Sequence, residues 1–529
     1  MKKERKKKQK EQKPIEQILW DAANKLRGKV EPAEYKHVVL SMIFLKYAND
    51  RFDEQRSQMI ENGQEAFLEM MPFYTKDNVF YIPECARWAY IMDNAKQPDI
   101  AIKIDTALHE IEAKNPSLEG ALPDNYYSRL HMDPSGLSSL IDLINGIQLQ
   151  VGGDKDVFGK VYEYCLRQFA LKEGKGKGEF YTPRTVVALL CELIEPYHGI
   201  VYDGACGSGG MFVQSMKFVD AHGGNRLGVS IYGQELTDTT RRLAKMNLAI
   251  RGISANLGAE AANTFLNDQH KDLKADFSLE NPPFNQKDWR EANQLVDDPR
   301  WNGYPTPPTS NANYGWLLNT LSKLGQNGVG VVLLANGALS AGTAGNDEYE
   351  IRKRLIENDV VESIIILPRS TFYTTDISVS AWLLSRNKHA RIESRPDGDV
   401  HFRERSGEVL FMDLRQMGHP YEKKYIELTE KDREIIVDRF KSWRFEGYQT
   451  PYENIPEFCY SAKKSEIVER DYSLVPSRYI EFVNRDESVG YEEKMSQLQG
   501  ELKDLLIQEQ KSRQDLLEVM KGLGYGIEL

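Results

Sequence analysis

The sequence contains few cysteines and no long apolar segment. Its five cysteines are Cys85, Cys165, Cys191, Cys206 and Cys459. They form no Cys-x-x-Cys pair and no metal-ligand spacing, so disulfides and a metal site are both disfavoured. No run approaches the roughly 18 apolar residues of a membrane helix, and no signal-peptide apolar segment follows the lysine-rich start. We therefore expect a cytoplasmic protein with reduced thiols, no metal and no membrane contact.

Positive charge is scarce outside the first residues. The chain has a formal net charge of -11, although residues 1–13 hold eight basic and two acidic side chains. Duplex DNA is bound through Lys and Arg at its phosphates, so an acidic body needs a partner to supply most DNA contacts. We expect residues 1–13 to form a basic flexible tail, which is either merely solvated or a loose arm that touches phosphate.

The chain length predicts more than one domain, because 529 residues exceed the roughly 250 to 300 residues that a single core usually reaches. Residues 14–152 are expected to form an N-terminal helical domain. Apolar residues recur at helical spacing from Ile15 to Leu26, and a second helix is predicted from Ala33 to Phe52. This domain is either a helical cap without chemistry or an element that grips DNA or a partner subunit.

Residues 153–420 have an α/β pattern, in which short β-branched runs alternate with amphipathic helices. This pattern predicts a doubly wound, mostly parallel, Rossmann-like sheet with helices on both faces. The predicted strands are His198–Asp203, Leu227–Gln234, Ala275–Glu280, Gly328–Ala335, Val360–Leu367 and Ser378–Ser385. The predicted helices are Met211–Ala221, Thr237–Ile250, Tyr314–Leu324 and Tyr349–Asn358. Such a sheet binds ligands at the carboxyl ends of its strands.

The C-terminal region, residues 421–529, ends in a long helical tail. After about Asn387 the sequence is charged and we expect irregular structure, followed by a helix from about Tyr491 to Gly522. One apolar seam of period 3.5 runs along this helix, interrupted by Glu509 and Ser512. The seam consists of Met495, Leu498, Leu502, Leu505, Leu516 and Val519. It is either part of a docking surface for another subunit or a surface helix folded back on its own domain.

Two strand ends carry the pattern of a nucleotide-type site. Asp203 ends a predicted strand and is followed by the glycine-rich loop Gly204–Gly210, where glycines allow close approach of backbone to a ligand. Glu235 follows the next strand and is positioned to accept both hydroxyls of a ribose. Alone the loop is weak evidence. Asp203 could instead be a cap, and Cys206 is more often a packing residue than a nucleophile.

The strongest motif is Asn281, Pro282, Pro283 and Phe284, directly after a predicted strand. Two prolines fix φ and remove N–H groups, so the Asn281 side chain and the Pro282 carbonyl can present two acceptors in a rigid turn. Such acceptors draw electron density onto a ring-conjugated amine and prepare it to attack a sulfonium methyl. Phe284 offers a face for a base swung out of the duplex. An isolated Asn-Pro-Pro-Phe could be only a structural turn, but here it follows the two other motifs in order.

These motifs together resemble the cofactor and catalytic motifs of amino-methyltransferases. The segment Gly178–Arg184, the stretches Ala335–Ala338 and Ile351–Pro368, and the Leu19–Phe52 region are similar to the modification subunits of type I restriction-modification systems. The resemblance covers most of residues 15–420, and as a set it is highly specific. It departs at Gly204, because the family often has proline after the first acidic residue of the loop.

The resemblance implies an enzyme that transfers a methyl group from S-adenosylmethionine to the N6 amino group of adenine in double-stranded DNA. Asn281, Pro282, Pro283 and Phe284 would hold the target adenine. The implied cofactor-binding residues are Glu179, Phe180, Tyr181, Thr182, Pro183, Arg184, Asp203, Gly207, Ser208, Gly209, Glu235 and Asp268. The implied partners are a specificity subunit, a second copy of the chain and a restriction subunit.

Two other functional classes are weighed against this interpretation. Related enzymes with a similar motif methylate protein glutamine or RNA, since their amines could satisfy the same two acceptors. A long helical N-terminal domain and a helical tail are surplus to such small enzymes. A binding subunit without catalytic activity is disfavoured because each motif is intact.

Overall fold

The computed structural model describes most of the chain. The described residues are 32–130, 132–146, 159, 162–164, 182–372, 377–395, 398–421, 424–482 and 491–522. The predicted basic tail and the predicted helix at Ile15–Leu26 lie outside these ranges, as do Glu179, Phe180 and Tyr181 of the predicted site.

The N-terminal domain is helical in its described residues, as the sequence predicts. Its helices are α1 (Pro32–Glu61), α2 (Pro72–Thr75), α3 (Trp88–Asn94), α4 (Ile100–Lys114), α5 (Tyr126–Arg129) and α6 (Pro134–Asn145). The helix that the sequence predicts to end at Phe52 continues to Glu61. Leu243 and Met246 of the following domain complete the hydrophobic core of these helices, so the two parts of the chain are packed together.

A nine-stranded sheet forms the centre of the molecule. The strands of the chain are β1 (Gly199–Asp203), β2 (Val229–Gly233), β3 (Ala255–Asn256), β4 (Ala275–Glu280), β5 (Leu324–Ala335), β6 (Val361–Ile366), β7 (Val379–Ser385), β8 (Arg391–Arg395), β9 (Gly398–Phe402), β10 (Glu408–Asp413), β11 (His419–Tyr421), β12 (Tyr425–Glu427) and β13 (Cys459–Lys463). The sheet has the order β13-β10-β6-β7-β5-β4-β1-β2-β3. Its pairs are parallel except β5/β7, β6/β7 and β10/β13, which confirms the predicted mostly parallel sheet.

Helices cover both faces of this sheet. They are α7 (Arg184–Ile194), α8 (Gly210–Ala221), α9 (Asp238–Ile250), α10 (Asn313–Lys323), α11 (Asp347–Glu357), α12 (Glu430–Arg444) and α13 (Lys464–Glu469). One hydrophobic core lies between the sheet and the helices on one side, which include α7 and α8. A second hydrophobic core lies between the sheet and the helices on the other side, which include α10 and α11. The doubly wound arrangement follows from strands such as β6 and β7, which are buried along their whole length.

The expectation of irregular structure after Asn387 is wrong. β10 pairs in parallel with β6, and β13 pairs antiparallel with β10, so the central sheet continues beyond residue 420. Sequence periodicity missed these strands because they lie in a charged stretch and their partners in the sheet are distant in sequence.

The C-terminal helix α14 spans Tyr491–Gly522, as the sequence predicts. Most of its described apolar side chains are exposed, including Leu498, Leu502 and Leu505. Within the part of the chain that the structure describes, no helix is both long and apolar enough to cross a membrane.

Candidate active site

The predicted motifs meet at one edge of the sheet. β1 lies between β2 and β4, and the chain order reverses at β1/β4, where an open α/β sheet forms its ligand crevice. The glycine-rich loop follows β1, Glu235 follows β2, and Asn281 follows β4. Because these strands are parallel, their carboxyl ends bring all three motifs together.

The glycine-rich loop has a conformation that favours glycine. Gly207 has φ of 52° and Gly209 has φ of 78°, values that side chains with a Cβ seldom adopt. Gly209 is the N-cap of α8. A Cβ at Gly207 would meet no atom within 4 Å, so the loop leaves space beside its backbone. Asn247 on α9 donates a hydrogen bond to the Ser208 carbonyl over 2.7 Å and so holds the loop against this helix.

Gly204 is explained by the packing around it. A Cβ at this position would lie 2.9 Å from the hydroxyl oxygen of Tyr202 and 3.3 Å from the Asn319 side chain. The hydroxyl of Thr264 donates to the Gly204 carbonyl. The loop is therefore held by neighbouring side chains at the position where related sequences often have proline.

Glu235 connects the loop to the end of β2. Its Oε2 accepts a hydrogen bond from the Gly207 N–H over 3.1 Å, and its Oε1 accepts one from the Thr237 N–H over 3.0 Å. The side chain is half-buried, so this carboxylate is both an anchor of the loop and accessible to a ligand.

Asp203 and Cys206 are buried at the base of the loop. Asp203 Oδ1 accepts a hydrogen bond from the Ala205 N–H over 3.0 Å, which is a turn-capping contact. Burial raises the pKa of Asp203 well above its ordinary value, and nearby Glu280 adds to this effect. Burial likewise raises the pKa of the Cys206 thiol, as expected for a packing residue and not for a nucleophile.

Asn281 has one satisfied and one free polar atom. Its Nδ2 donates to Thr182 Oγ1 over 2.7 Å, and its Oδ1 is buried without a hydrogen-bond partner among the described residues. Because the donor side is held by Thr182, the amide oxygen is fixed as the acceptor that faces away from it. A buried acceptor without a partner is costly, which is typical of a position that awaits a ligand.

Phe284 forms part of an aromatic corner. Its ring packs edge-to-face against Phe372, with centroids 5.9 Å apart. Pro282 is buried and Pro283 and Phe284 are half-buried. The turn ends at Asn285, which has φ of 51° and whose N–H donates to Asn313 Oδ1 over 3.1 Å. The structure thus anchors the motif on α10.

The segment before the site is described only in part. Thr182 contacts Asn281, Pro183 is buried as the N-cap of α7, and Arg184 is exposed.

Asp268 is engaged inside the protein. Its Oδ2 lies 2.6 Å from Lys323 Nζ, and its Oδ1 accepts from the His270 N–H over 2.9 Å. Lys323 is almost fully buried, so this ion pair ties the loop after β3 to α10. These contacts give Asp268 a structural function, and they leave less of its carboxylate for the cofactor contact that the sequence suggested.

Three residues beside the motifs in the structure were not among the predicted site residues. Thr264 contacts the glycine-rich loop, Phe372 packs on Phe284, and Glu280 is buried directly before Asn281. Arg300 holds the loop of Thr264 by donating to its carbonyl over 2.9 Å. Only Glu280 lies beside a motif in the sequence, whereas the contacts of Thr264 and Phe372 join distant segments.

Comparisons with known proteins identify the family. Residues 153–488 match the N-6 DNA Methylase family, and residues 15–145 match the HsdM N-terminal domain. The type I restriction enzyme HindI methylase subunit of Haemophilus influenzae is 38% identical over 84% of this chain and 100% of its own length. The MjaIX methylase subunit of Methanocaldococcus jannaschii is 35% identical over 97% of this chain and 92% of its own.

A solved structure has the same fold. The type I methyltransferase subunit from Streptococcus thermophilus aligns with a TM-score of 0.70 over 88% of this chain and 99% of its own, at 24% identity. With two domain matches and close relatives over nearly the full length, the chain belongs to the type I restriction-modification methylase subunits and is an adenine-specific DNA methyltransferase.

Proposed function

We propose that this enzyme uses S-adenosylmethionine and that Asn281, Pro282, Pro283 and Phe284 hold the target adenine. The observation that carries the proposal is the buried, unpartnered Oδ1 of Asn281. It offers an acceptor to one hydrogen of the adenine amine, and the Pro282 carbonyl offers the second. Two acceptors raise the electron density on nitrogen, which makes the amine a better nucleophile.

Phe284 and Phe372 are proposed to enclose the flipped base. An adenine in the duplex is stacked and inaccessible, so the enzyme has to swing it out and replace its stacking contacts. The half-buried ring of Phe284 can stack on the base. The edge of Phe372, 5.9 Å away between centroids, keeps that ring in place.

The glycine-rich loop and Glu235 are proposed to hold the cofactor. S-adenosylmethionine supplies, when bound, an electrophilic methyl group on a sulfonium sulfur. Open space beside Gly207 admits a ligand next to the backbone of the loop, together with Ser208 and Gly209. The Glu235 carboxylate follows β2, and we infer that it accepts the hydroxyls of the cofactor ribose, as an acid after the second strand does in dinucleotide sites. Thr182, Pro183 and Arg184 are proposed to line the other side, together with Glu179, Phe180 and Tyr181.

The enzyme is proposed to act in a complex with double-stranded DNA, a specificity subunit and a second copy of the chain, which a restriction subunit can join. A net charge of -11 leaves few phosphate contacts to this chain. The exposed leucines of α14 support a docking function for this helix, which lies in the part of residues 421–529 that follows the last strand of the sheet. The proposed functional division remains a catalytic domain that begins near residue 153 and a helical domain over residues 14–152.

The test is Asn281→Ala. We expect methylation to fall by about 100-fold or more, while S-adenosylmethionine binding stays within about twofold, because Asn281 acts on the amine and not on the sulfonium. The measurement is transfer of labelled methyl groups to DNA by the assembled complex, beside calorimetry of cofactor binding. Asn302→Ala, at an exposed position, is the control. Activity above about a tenth of wild type in Asn281→Ala would contradict the assigned function.

A further inference from the structure

A second buried carboxyl lies directly behind the proposed target-base site. Glu280 is fully buried at the end of β4, one residue before Asn281. Its Oε1 accepts hydrogen bonds from Ser278 Oγ over 2.9 Å and from Thr320 Oγ1 over 2.8 Å. Its Oε2 has no hydrogen-bond partner in the described part of the chain. A bare carboxylate oxygen in such a place is costly unless it is protonated or faces a cation.

Asp203 is the neighbouring carboxyl at the base of the glycine-rich loop. β1 and β4 pair with Tyr202 opposite Ser278, so Asp203 and Glu280 end adjacent strands. Asp203 is 1% exposed, and its carboxyl accepts from the Ala205 N–H. Neither carboxyl forms an ion pair with the described cations. Two carboxyl groups that are buried beside each other do not both ionise easily, because their negative charges repel.

The surroundings do not neutralise the pair. Lys323 on α10 is a buried cation that acts on Glu280, but it donates hydrogen bonds to Asp268 and to the His270 carbonyl. Tyr202, Cys206 and Glu235 are titratable groups next to the pair. Arg241 acts on Cys206, Asp298 and Arg300 act on Lys323, and the His270 ring packs against Tyr202. Of these, Glu235 adds a further negative charge beside Asp203. The excess of negative charge favours the binding of a positively charged ligand.

We propose that Asp203 and Glu280 together retain one proton in the cofactor-free enzyme and release it when the sulfonium of S-adenosylmethionine binds. The inference rests on the proposed function. The protons balance as follows. Before binding, the pair of carboxyls holds one proton; in the complex with the cation both carboxylates are ionised, and that proton has passed to solvent. No bond other than O–H breaks.

Acid-base properties support this sequence of events. Burial raises the pKa of Glu280 to about 7, and burial with the Glu280 charge raises that of Asp203. The two groups titrate as a coupled pair, so near neutral pH the last proton is easily displaced. A nearby positive charge favours the ionised form. Affinity for the sulfonium should therefore rise with pH, by about tenfold from pH 6 to pH 8 for one linked proton.

The experiment compares S-adenosylmethionine with S-adenosylhomocysteine on the full-length protein. Both ligands have the same nucleoside and amino-acid groups, and only the first has the sulfonium charge. Calorimetry at pH 6, where a group with a pKa of about 7 is mostly protonated, in two buffers of different ionisation enthalpy counts the protons released. We expect S-adenosylmethionine to release more than half a proton beyond S-adenosylhomocysteine. Equal release by the two ligands overturns the inference.

Glu280→Gln locates the proton. The amide keeps the shape and the two hydrogen bonds at the Oε1 position, and we expect the extra release to fall by at least half. Glu348→Gln, a partly buried carboxyl on α11 whose pKa burial also raises, should leave the release unchanged. If Glu280→Gln binds cofactor and releases as many protons as wild type, Glu280 is not the source and the inference is wrong.

Failure of this inference is distinguishable from failure of the proposed function. If neither ligand binds the wild-type protein, the cofactor assignment itself fails. If both bind and no difference in proton release is found, the cofactor site stands and only the proton linkage is refuted.

Discussion

Glu235 illustrates how a single side chain can serve both the fold and the ligand. Glu235→Ala should weaken S-adenosylmethionine binding by roughly tenfold to hundredfold, because charge-assisted hydrogen bonds contribute about 1.5 to 3 kcal/mol each. The structure adds a second reason, since the same carboxylate accepts from the Gly207 N–H and its loss loosens the loop. The dissociation constant is measured by calorimetry.

Glu235→Gln separates these two effects. The amide oxygen can keep the contact with Gly207, so binding should weaken less than in Glu235→Ala. Glu260→Gln, at an exposed position of the same domain, is the control. A dissociation constant within twofold of wild type for Glu235→Ala would show that this side chain does not reach the ribose.

At the level of single residues, the sequence predicts which residues do chemistry better than it predicts which side chains contact one another. Asn281 and the glycine-rich loop are recognisable because their residue types and their order along the chain are informative. The ion pair of Asp268 with Lys323 joins residues of two different elements, and no local pattern predicts it. The same holds for Glu280, whose carboxyl accepts a hydrogen bond from Thr320 of α10.

Among the secondary-structure elements, a buried charge cluster attaches the later part of the chain to the sheet. Glu362 on β6 lies 3.2 Å from Arg405, before β10, and 3.2 Å from Arg444, at the end of α12. All three side chains are at most 1% exposed. Glu362→Gln leaves two buried guanidinium groups without their carboxylate, which should destabilise the domain by about 3 to 5 kcal/mol. Urea unfolding of the full-length chain measures this.

Glu54→Gln is the matched control, because its pair with Arg51 is exposed and such pairs contribute at most about 1 kcal/mol. The effect of Glu362→Gln should also depend on pH. Burial opposes ionisation of Glu362, but Arg444 and Arg405 lower its pKa below the ordinary value. Its contribution is therefore present above about pH 4 and is lost as pH falls through the folded-state pKa. A similar loss of stability in both variants would contradict this account.

The boundaries of the elements show what periodicity can and cannot predict. β4 and α14 begin and end where the sequence predicts, because one is a short apolar run before two prolines and the other a long amphipathic segment. β10 and β13 were missed because their pairing with β6 and with each other joins residues about 50 apart in sequence. A strand of this kind is recognisable only when its neighbour is known.

On the scale of the whole molecule, the N-terminal helices and the catalytic domain share an interface. Arg242 on α9 donates to the Leu122 carbonyl over 2.6 Å, and Lys245 donates to the Glu119 carbonyl over 2.8 Å. α9 also carries Asn247, which holds the glycine-rich loop. The helical domain is therefore connected to the cofactor site through one helix, which favours an integrated function over that of a detached cap.

The C-terminal helix α14, unlike the N-terminal helices, is not packed on the catalytic domain along its apolar seam. Leu498, Leu502 and Leu505 are 48%, 58% and 62% exposed, so the seam is not buried against its own domain. Exposed leucines at this spacing can complete a core with a helix of another subunit. Replacing all three with Asp places three charges in that core, and we expect assembly with the specificity subunit to fail while cofactor binding is retained.

The control places the same charges on the helix outside the seam. Gln499, Gln510 and Gln514 are exposed and, at about 100° per residue, lie roughly 95° to 155° around the helix from the centre of the seam. Their replacement with Asp changes the net charge equally but should leave assembly intact, since no apolar contact is lost. Size-exclusion chromatography of each variant mixed with the specificity subunit distinguishes the two faces, and calorimetry of S-adenosylmethionine binding shows that the catalytic domain is folded. If the leucine variant assembles as well as the glutamine variant, another surface of the chain forms the interface.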